Sequence, residues 1–173
     1  YELSACYTAM LPQDLRSAWG AYYTPPALTE RLLDLAVDAG TDWTTAKVLD
    51  PACGGGAFLL PVALRMRKAL PELDQASLLE HLGSHLKGFE IDPFAAWLTQ
   101  VWLEISFSAE RANSGIPFPK VVTICDSLQQ RPAEAFDLVI GNPPYGRLKL
   151  DSELRTVYQR SLYGHANLYG LFT

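Results

Sequence analysis

The sequence predicts an α/β fold, a three-layer sandwich in which helices cover a parallel sheet. Three observations lead there. Helical and strand-like patterns alternate over residues 24–140, as crossover connections between parallel strands require. Four short apolar runs, "AKVLD", "LKGFEID", "KVVTICD" and "FDLVIG", have the length and composition of buried strands. Three of them end in an acidic residue (Asp50, Glu90 and Asp126), and the fourth leads into Asn142.

The elements follow in order. Thr24 reads as a helix N-cap with Pro25 at the first helical position, and Gly40 stands just past the end. Between them Leu28, Leu32, Leu35 and Ala39 fall on one helical face. "AKVLD" is the first strand. A helix over 57–70 follows, with Pro61 expected to kink it or delay its start. A shorter helix over 74–86 is an insertion before the second strand, "LKGFEID". Another helix starts at Pro93, capped by Asp92, and sets Phe94, Trp97, Val101 and Ile105 near one stripe. Trp97 and Trp102 read as core or inter-helix packing. After the strands "KVVTICD" and "FDLVIG", two prolines stop the sheet, since neither Pro143 nor Pro144 has an N–H to give. Beyond Tyr145 the pattern is lost until about Asn167.

Composition bounds the rest. At 173 residues the chain suits one well-cored domain. A hydrophobic fraction of 49% with 19% charged residues excludes a disordered chain. No apolar run has the length of a membrane span, and the start is not a signal peptide. Cys6, Cys53 and Cys125 are too few and scattered for a disulfide framework, so a reducing cytoplasm is the default. The net charge of −5 argues against nonspecific attraction to nucleic acid over the whole surface. Both ends read as cut: the chain begins at Tyr1 and stops in the apolar "NLYGLFT" without a helix stop signal, which predicts a longer polypeptide.

Ligands of an open parallel sheet bind beyond the carboxyl ends of its strands, so Asp50, Glu90, Asp126 and Asn142 should converge on one cleft. "VLDPACGGGAF" is a strand, a glycine turn and a helix start. Its glycines permit close backbone approach and positive φ. No Gly-Lys-Ser/Thr follows, and the spacing of the dinucleotide fingerprint is missing. Asp50 would repel a pyrophosphate but attract a cationic amine. A ligand with a ribose, an ammonium and a carboxylate suits these groups better than a nucleotide phosphate. Glu90 has the placement of a ribose-diol acceptor, and Asp126 could accept from an adenine amine or serve as a turn residue. Cys53 reads as a small buried residue. His81 and His85 have a metal-binding spacing without a third ligand, so no metal is expected. Arg147 and Lys149 fit either phosphate contacts or a solvated loop.

"DPACGGGAF", "GFEIDP", "CDSL" and "FDLVIGNPPYG", in that order, resemble the class I S-adenosylmethionine-dependent methyltransferases. The Asn-Pro-Pro-Tyr tetrapeptide narrows the resemblance to enzymes that methylate amines. "GAYYTPPALTERLL" and "HANLYGLF" resemble the flanking motifs of N6-adenine DNA methyltransferases of the gamma arrangement. The resemblance implies a Rossmann-like class I methyltransferase fold, of which this chain holds part of the sheet with the first strand central. It implies S-adenosyl-L-methionine as cofactor and the N6 amine of a flipped adenine in double-stranded DNA as substrate, within a restriction–modification or phage-defence system of a bacterial or archaeal cytoplasm. Residues 1–173 would be the catalytic domain, incomplete at its C-terminus; target recognition would lie in a missing C-terminal region, with a fused or associated restriction subunit as an option.

Carried over by resemblance, Thr24 would hold the methionine carboxylate, and Asp50 with Pro51, Ala52 and Gly54 would face the methionine portion. Glu90 would accept from both ribose hydroxyls and Ile91 would lie against the adenine. Asp126, with Ser127 beside it, would accept from the adenine amine, and Phe172 would pack on the ring. Asn142, Pro143, Pro144 and Tyr145 would be catalytic. The Asn142 oxygen and Pro143 carbonyl would accept the two hydrogens of the target amine, Pro144 would help fix that carbonyl, and Tyr145 would stack on the base. The alternatives are a protein-glutamine or ribosomal-RNA N-methyltransferase, and a non-catalytic cofactor-binding module. The two flanking motifs favour DNA over the first, and the presence of Asn142 and Tyr145 favours catalysis over the second.

Overall fold

The computed structural model describes residues 9, 10, 12, 24–130, 134–145, 156, 158, 171 and 172. The chain divides into two compact units: Thr24–Gly141 with Tyr1, and Glu2–Tyr23 with Asn142–Thr173. The first unit holds all of the regular elements below.

Helix α1 (Pro26–Asp38) is followed by β1 (Val48–Asp50), α2 (Leu59–Ala69), α3 (Gln75–His85) and β2 (Leu86–Glu90). Then come α4 (Pro93–Ser106), α5 (Ser108–Ser114), β3 (Val122–Ile124) and β4 (Leu138–Val139). The four strands form one sheet of order β3-β2-β1-β4 with every pairing parallel. β1 is internal, and its three residues are all buried, as expected of a strand covered on both faces. Its register sets Asp50 opposite Gly88 of β2, while Leu49 pairs with Val139 of β4.

Several elements differ from the sequence reading in detail. The N-cap of α1 is Pro25, not Thr24, and Pro26 occupies the first turn. A residue that precedes proline is pushed out of the helical region, and Pro25 has φ −61° and ψ 139° accordingly. The buried face of α1 is Thr29, Leu33 and Ala36; Leu28, Leu35 and Ala39 are exposed and Leu32 half-buried. On the exposed side of α1 the Arg65 guanidinium of α2 bridges Glu30 and Asp34, both at 2.7 Å.

Helix α2 starts at Leu59, later than residue 57, so Pro61 falls in the first turn, where its missing N–H has no intrahelical partner to lose. Asp74 caps α3 by accepting the Ser77 N–H at 2.9 Å. On α3, the His81 and His85 rings stack with centroids 3.8 Å apart. No cluster of three or more metal-ligating side chains occurs among the described residues.

Asp92 caps α4 by accepting the Phe94 N–H at 3.0 Å. The stripe expected on α4 does not face the core: Trp97 is 56% exposed, and Phe94 and Ile105 are exposed beside it. Ala95, Ala96, Leu98, Thr99 and Leu103 are buried instead. The buried residues mix small side chains with Leu98 and Leu103, and the aromatic Phe94 and Trp97 turn outward. Trp102 is half-buried. Helix α5 is an addition that the sequence pattern did not announce, closed by Gly115 at φ +73°.

The core gathers Val48, Leu59, Val62, Met66, Leu79 and Leu103, all essentially inaccessible to water. Among the described residues, no helix is long and apolar enough to cross a membrane. Arg147, Lys149 and most of "HANLYGLF" lie outside the described residues.

Candidate cofactor site

The turn after β1 is held by three neighbours. Asp50 ends β1, and its Oδ1 accepts the Ala52 N–H at 3.1 Å. The Cys53 N–H donates to the Phe89 carbonyl of β2 at 2.9 Å. The Gly54 N–H donates to Glu90 Oε2 at 2.7 Å, and Thr99 Oγ1 of α4 donates to the Gly54 carbonyl at 2.6 Å. Gly54 and Gly56 have φ of +51° and +82°, the left-handed region in which a Cβ is costly.

The surroundings of these glycines differ. Among the described residues, a Cβ on Gly54 would meet nothing within 4 Å. A Cβ on Gly56 would lie 2.9 Å from Thr99 Cγ2. Gly88 sits inside β2 beneath the turn, where a Cβ would collide with Leu59 Cδ1 and approach Cys53 Sγ to 3.0 Å. This glycine lets strand and turn pack in contact. At the end of β4 a Cβ on Gly141 would lie 2.5 Å from Asp50 Oδ1. The chain thus passes directly over the Asp50 carboxyl before it reaches Asn142.

Two carboxyls share this spot. Asp50 is 1% exposed, and its Oδ2 has no hydrogen-bond partner among the described residues. Burial pushes its pKa up to about 8; the Ala52 N–H opposes the shift and the Glu90 charge adds to it. Glu90 is half-buried and also raised, by burial first, against the Asp92 and Gly54 N–H groups that favour its charged form. Its Oε1 accepts the Asp92 N–H at 2.9 Å, so each oxygen carries one backbone donor and keeps acceptor capacity. Cys53 is buried, and desolvation holds its thiol well above the ordinary value, unlike a reactive thiolate.

Among the residues singled out in the sequence, the first unit brings together Asp50, Pro51, Ala52, Gly54 and Glu90. Ile91 follows at 57% exposure. The Cys125 N–H donates to the Glu90 carbonyl, which sets Asp126 beside β2. Asp126 itself accepts from the Leu128 N–H at 3.1 Å and from Gln129 Nε2 at 2.8 Å, and Ser127 is half-buried. Thr24 is buried at the head of α1. Asn142, Pro143, Pro144, Tyr145 and Phe172 belong to the second unit. There Asn142, Pro143, Pro144 and Phe172 are half-buried and Tyr145 is exposed. Sequence reasoning missed Thr99 and Gly88. Gly88 carried a signal, as a glycine inside a strand; Thr99 carried none.

Comparison with known proteins adds a family. The model described as "N-6 DNA Methylase" matches residues 6–163. The chain belongs to that family. The Type II methyltransferase M.BstVI of Geobacillus stearothermophilus is 31% identical over 176 residues, which cover 92% of this chain and 31% of the relative. The chain therefore spans about a third of the length of that relative. Among solved structures, the DrdV–DNA complex superposes with a TM-score of 0.70 at 15% identity, covering 98% of this chain and 20% of DrdV. A Listeria monocytogenes protein assigned as a class I S-adenosylmethionine-dependent methyltransferase superposes at 0.58 with 20% identity, covering 88% of this chain and 41% of its own. The fold is the Rossmann-like class I methyltransferase fold, with a four-stranded parallel sheet in this chain.

Proposed function

We propose that this chain carries the catalytic machinery that transfers a methyl group from S-adenosyl-L-methionine to the N6 amine of adenine in double-stranded DNA, in a restriction–modification or phage-defence system. The observation that carries the reading is the glycine turn locked onto Glu90, with Gly141 beside the Asp50 carboxyl and followed in the sequence by Asn-Pro-Pro-Tyr. Membership of the N-6 DNA methylase family supports the choice of amine and substrate.

The residues present fit the cofactor. Among the described residues nothing crowds the crest at Gly54 and Asp50 Oδ2 has no partner, which suits an ammonium, and Glu90 has capacity for the two ribose hydroxyls. Ile91 is exposed and by this reading would lie against the adenine. Asp126 and Ser127 would meet the adenine amine, Phe172 the ring, Thr24 the methionine carboxylate, and Pro51 and Ala52 the methionine portion. When bound, the sulfonium supplies an electrophilic methyl group.

The chain's own residues do the rest. An exocyclic amine is a poor nucleophile because its lone pair is delocalised into the ring. The Asn142 oxygen and the Pro143 carbonyl would accept its two hydrogens and favour a tetrahedral nitrogen, with Pro144 keeping that carbonyl rigid. The nitrogen takes the methyl group as the methyl's bond to sulfur breaks, and one amine proton leaves afterwards without a strong base. Tyr145 offers an aromatic face to the extruded base. Extrusion costs a few kcal/mol, and a chain of net charge −5 offers little general attraction to DNA. We therefore read residues 1–173 as the catalytic domain, with target recognition in a C-terminal region; relatives about three times longer support this.

The test is transfer of tritiated methyl from S-adenosylmethionine by the full polypeptide that carries this sequence, offered DNA, RNA and protein in parallel. Label in DNA alone is the expected result. Label in RNA or protein with none in DNA overturns the reading.

A further inference from the structure

We infer that Thr99 is a positioning residue of the cofactor-binding turn, acting through Gly54 together with Glu90. The inference rests on the cofactor reading above and assigns a role to a side chain on α4, outside every motif of the sequence.

The two polar groups of Gly54 are taken by side chains from two different elements. Its N–H donates to Glu90 of β2 at 2.7 Å, thirty-six residues away. Its carbonyl accepts from Thr99 of α4 at 2.6 Å, forty-five residues away. A peptide unit is planar. The first bond therefore fixes the 53–54 peptide and the second fixes the 54–55 peptide, including the direction of the Gly55 N–H.

A threonine in a helix commonly returns its hydroxyl to a carbonyl of the preceding turn. Thr99 is fully buried, yet it directs its hydroxyl to another element. Its methyl group lies 2.9 Å from where a Cβ of Gly56 would stand, which leaves room for glycine there. The hydroxyl is thus the group by which Thr99 grips the turn, at the Gly54 carbonyl. Among the described residues, no atom lies within 4 Å of the Cβ direction of Gly54. The hydroxyl therefore serves the shape of an open turn, and valine would fill the same volume without it.

The test is calorimetric titration of S-adenosylhomocysteine into the full polypeptide, as wild type, Thr99→Val and Thr99→Ser. Loss of one buried hydrogen bond should raise the Kd of Thr99→Val roughly fivefold to tenfold, while Thr99→Ser stays within about twofold because the donor is retained. In methyl-transfer kinetics the Thr99→Val change should appear in KM for the cofactor, with kcat nearly kept. A merely structural threonine would lower the melting temperature and leave Kd unmoved. Wild-type affinity in a folded Thr99→Val protein overturns the inference. So does a Thr99→Ser protein weakened about tenfold, even where Thr99→Val cannot be isolated. A wild type that binds no cofactor overturns the cofactor reading itself, which separates the two failures.

Discussion

Glu90 and Gly54 are joined at 2.7 Å, a strand-end carboxylate accepting the backbone N–H at the crest of the turn that follows the neighbouring strand. The side chain read as a ribose acceptor is thus also part of the frame of the site. Glu90→Gln keeps the volume but turns one acceptor into a donor facing either Gly54 N–H or Asp92 N–H. The expected loss is about 1–3 kcal/mol of stability, read by urea denaturation, together with at least about tenfold weaker cofactor binding. Unchanged stability with weakened binding would show that Glu90 contributes nothing to the frame.

Asp50 should make stability fall with rising pH. Its folded pKa of about 8 lies above that of an unfolded aspartate, near 3.9. Between about pH 4 and pH 8 the native state holds a proton that the unfolded chain has released, so this group disfavours folding increasingly across that window. Asp50→Asn removes the titration while keeping an oxygen for the Ala52 N–H. Melting temperatures at pH 5 and pH 8.5 should show the variant gaining on the wild type at the higher pH. A constant difference would mean that Asp50 is ionised throughout.

Gly88 and Gly54 should respond to alanine in different ways. At Gly88 a Cβ runs into Leu59 and Cys53 in a closed packing, at a cost of about 1–3 kcal/mol. At Gly54 no described residue stands in the way, and the cost is the left-handed backbone, about 1–2 kcal/mol. Gly54→Ala should therefore weaken cofactor binding more than Gly88→Ala relative to the melting temperature each loses. The opposite ranking in paired calorimetry and thermal melts would contradict the open crest.

Much of this was readable from the residues. Each strand announced itself by an apolar run and its acidic or glycine ending, and parallel pairing followed from the helices between them. Two helix faces were not readable. Leu28, Leu32, Leu33 and Leu35 give α1 leucine on more than one side, and which of them is buried depends on the elements packed against the helix. On α4 the large residues suggested a core stripe, but the buried face holds Ala95, Ala96, Leu98, Thr99 and Leu103. Thr99 was invisible because its partner lies forty-five residues away. The N-cap was misplaced by one residue because two prolines are adjacent, and only the second can begin the helix.

Tyr145 should matter for its ring and little for its hydroxyl. In the full polypeptide, Tyr145→Ala should lose about 1–3 kcal/mol of base stacking and turn over more slowly. Tyr145→Phe should retain most of the rate. Equal loss in both variants, measured under single-turnover conditions, would assign the hydroxyl a role that stacking does not explain.

Asn142, at the start of Asn-Pro-Pro-Tyr, should activate the N6 amine of adenine. Mass spectrometry of nucleosides from DNA treated with the full polypeptide and S-adenosylmethionine reads this out, with wild type and Asn142→Ala side by side and cofactor affinity measured for both. N6-methyladenine is expected from the wild type, with a loss of at least about a hundredfold in Asn142→Ala at nearly unchanged cofactor affinity. Methylation of cytosine instead of adenine, or N6-methyladenine formed by Asn142→Ala at the wild-type rate, would contradict it.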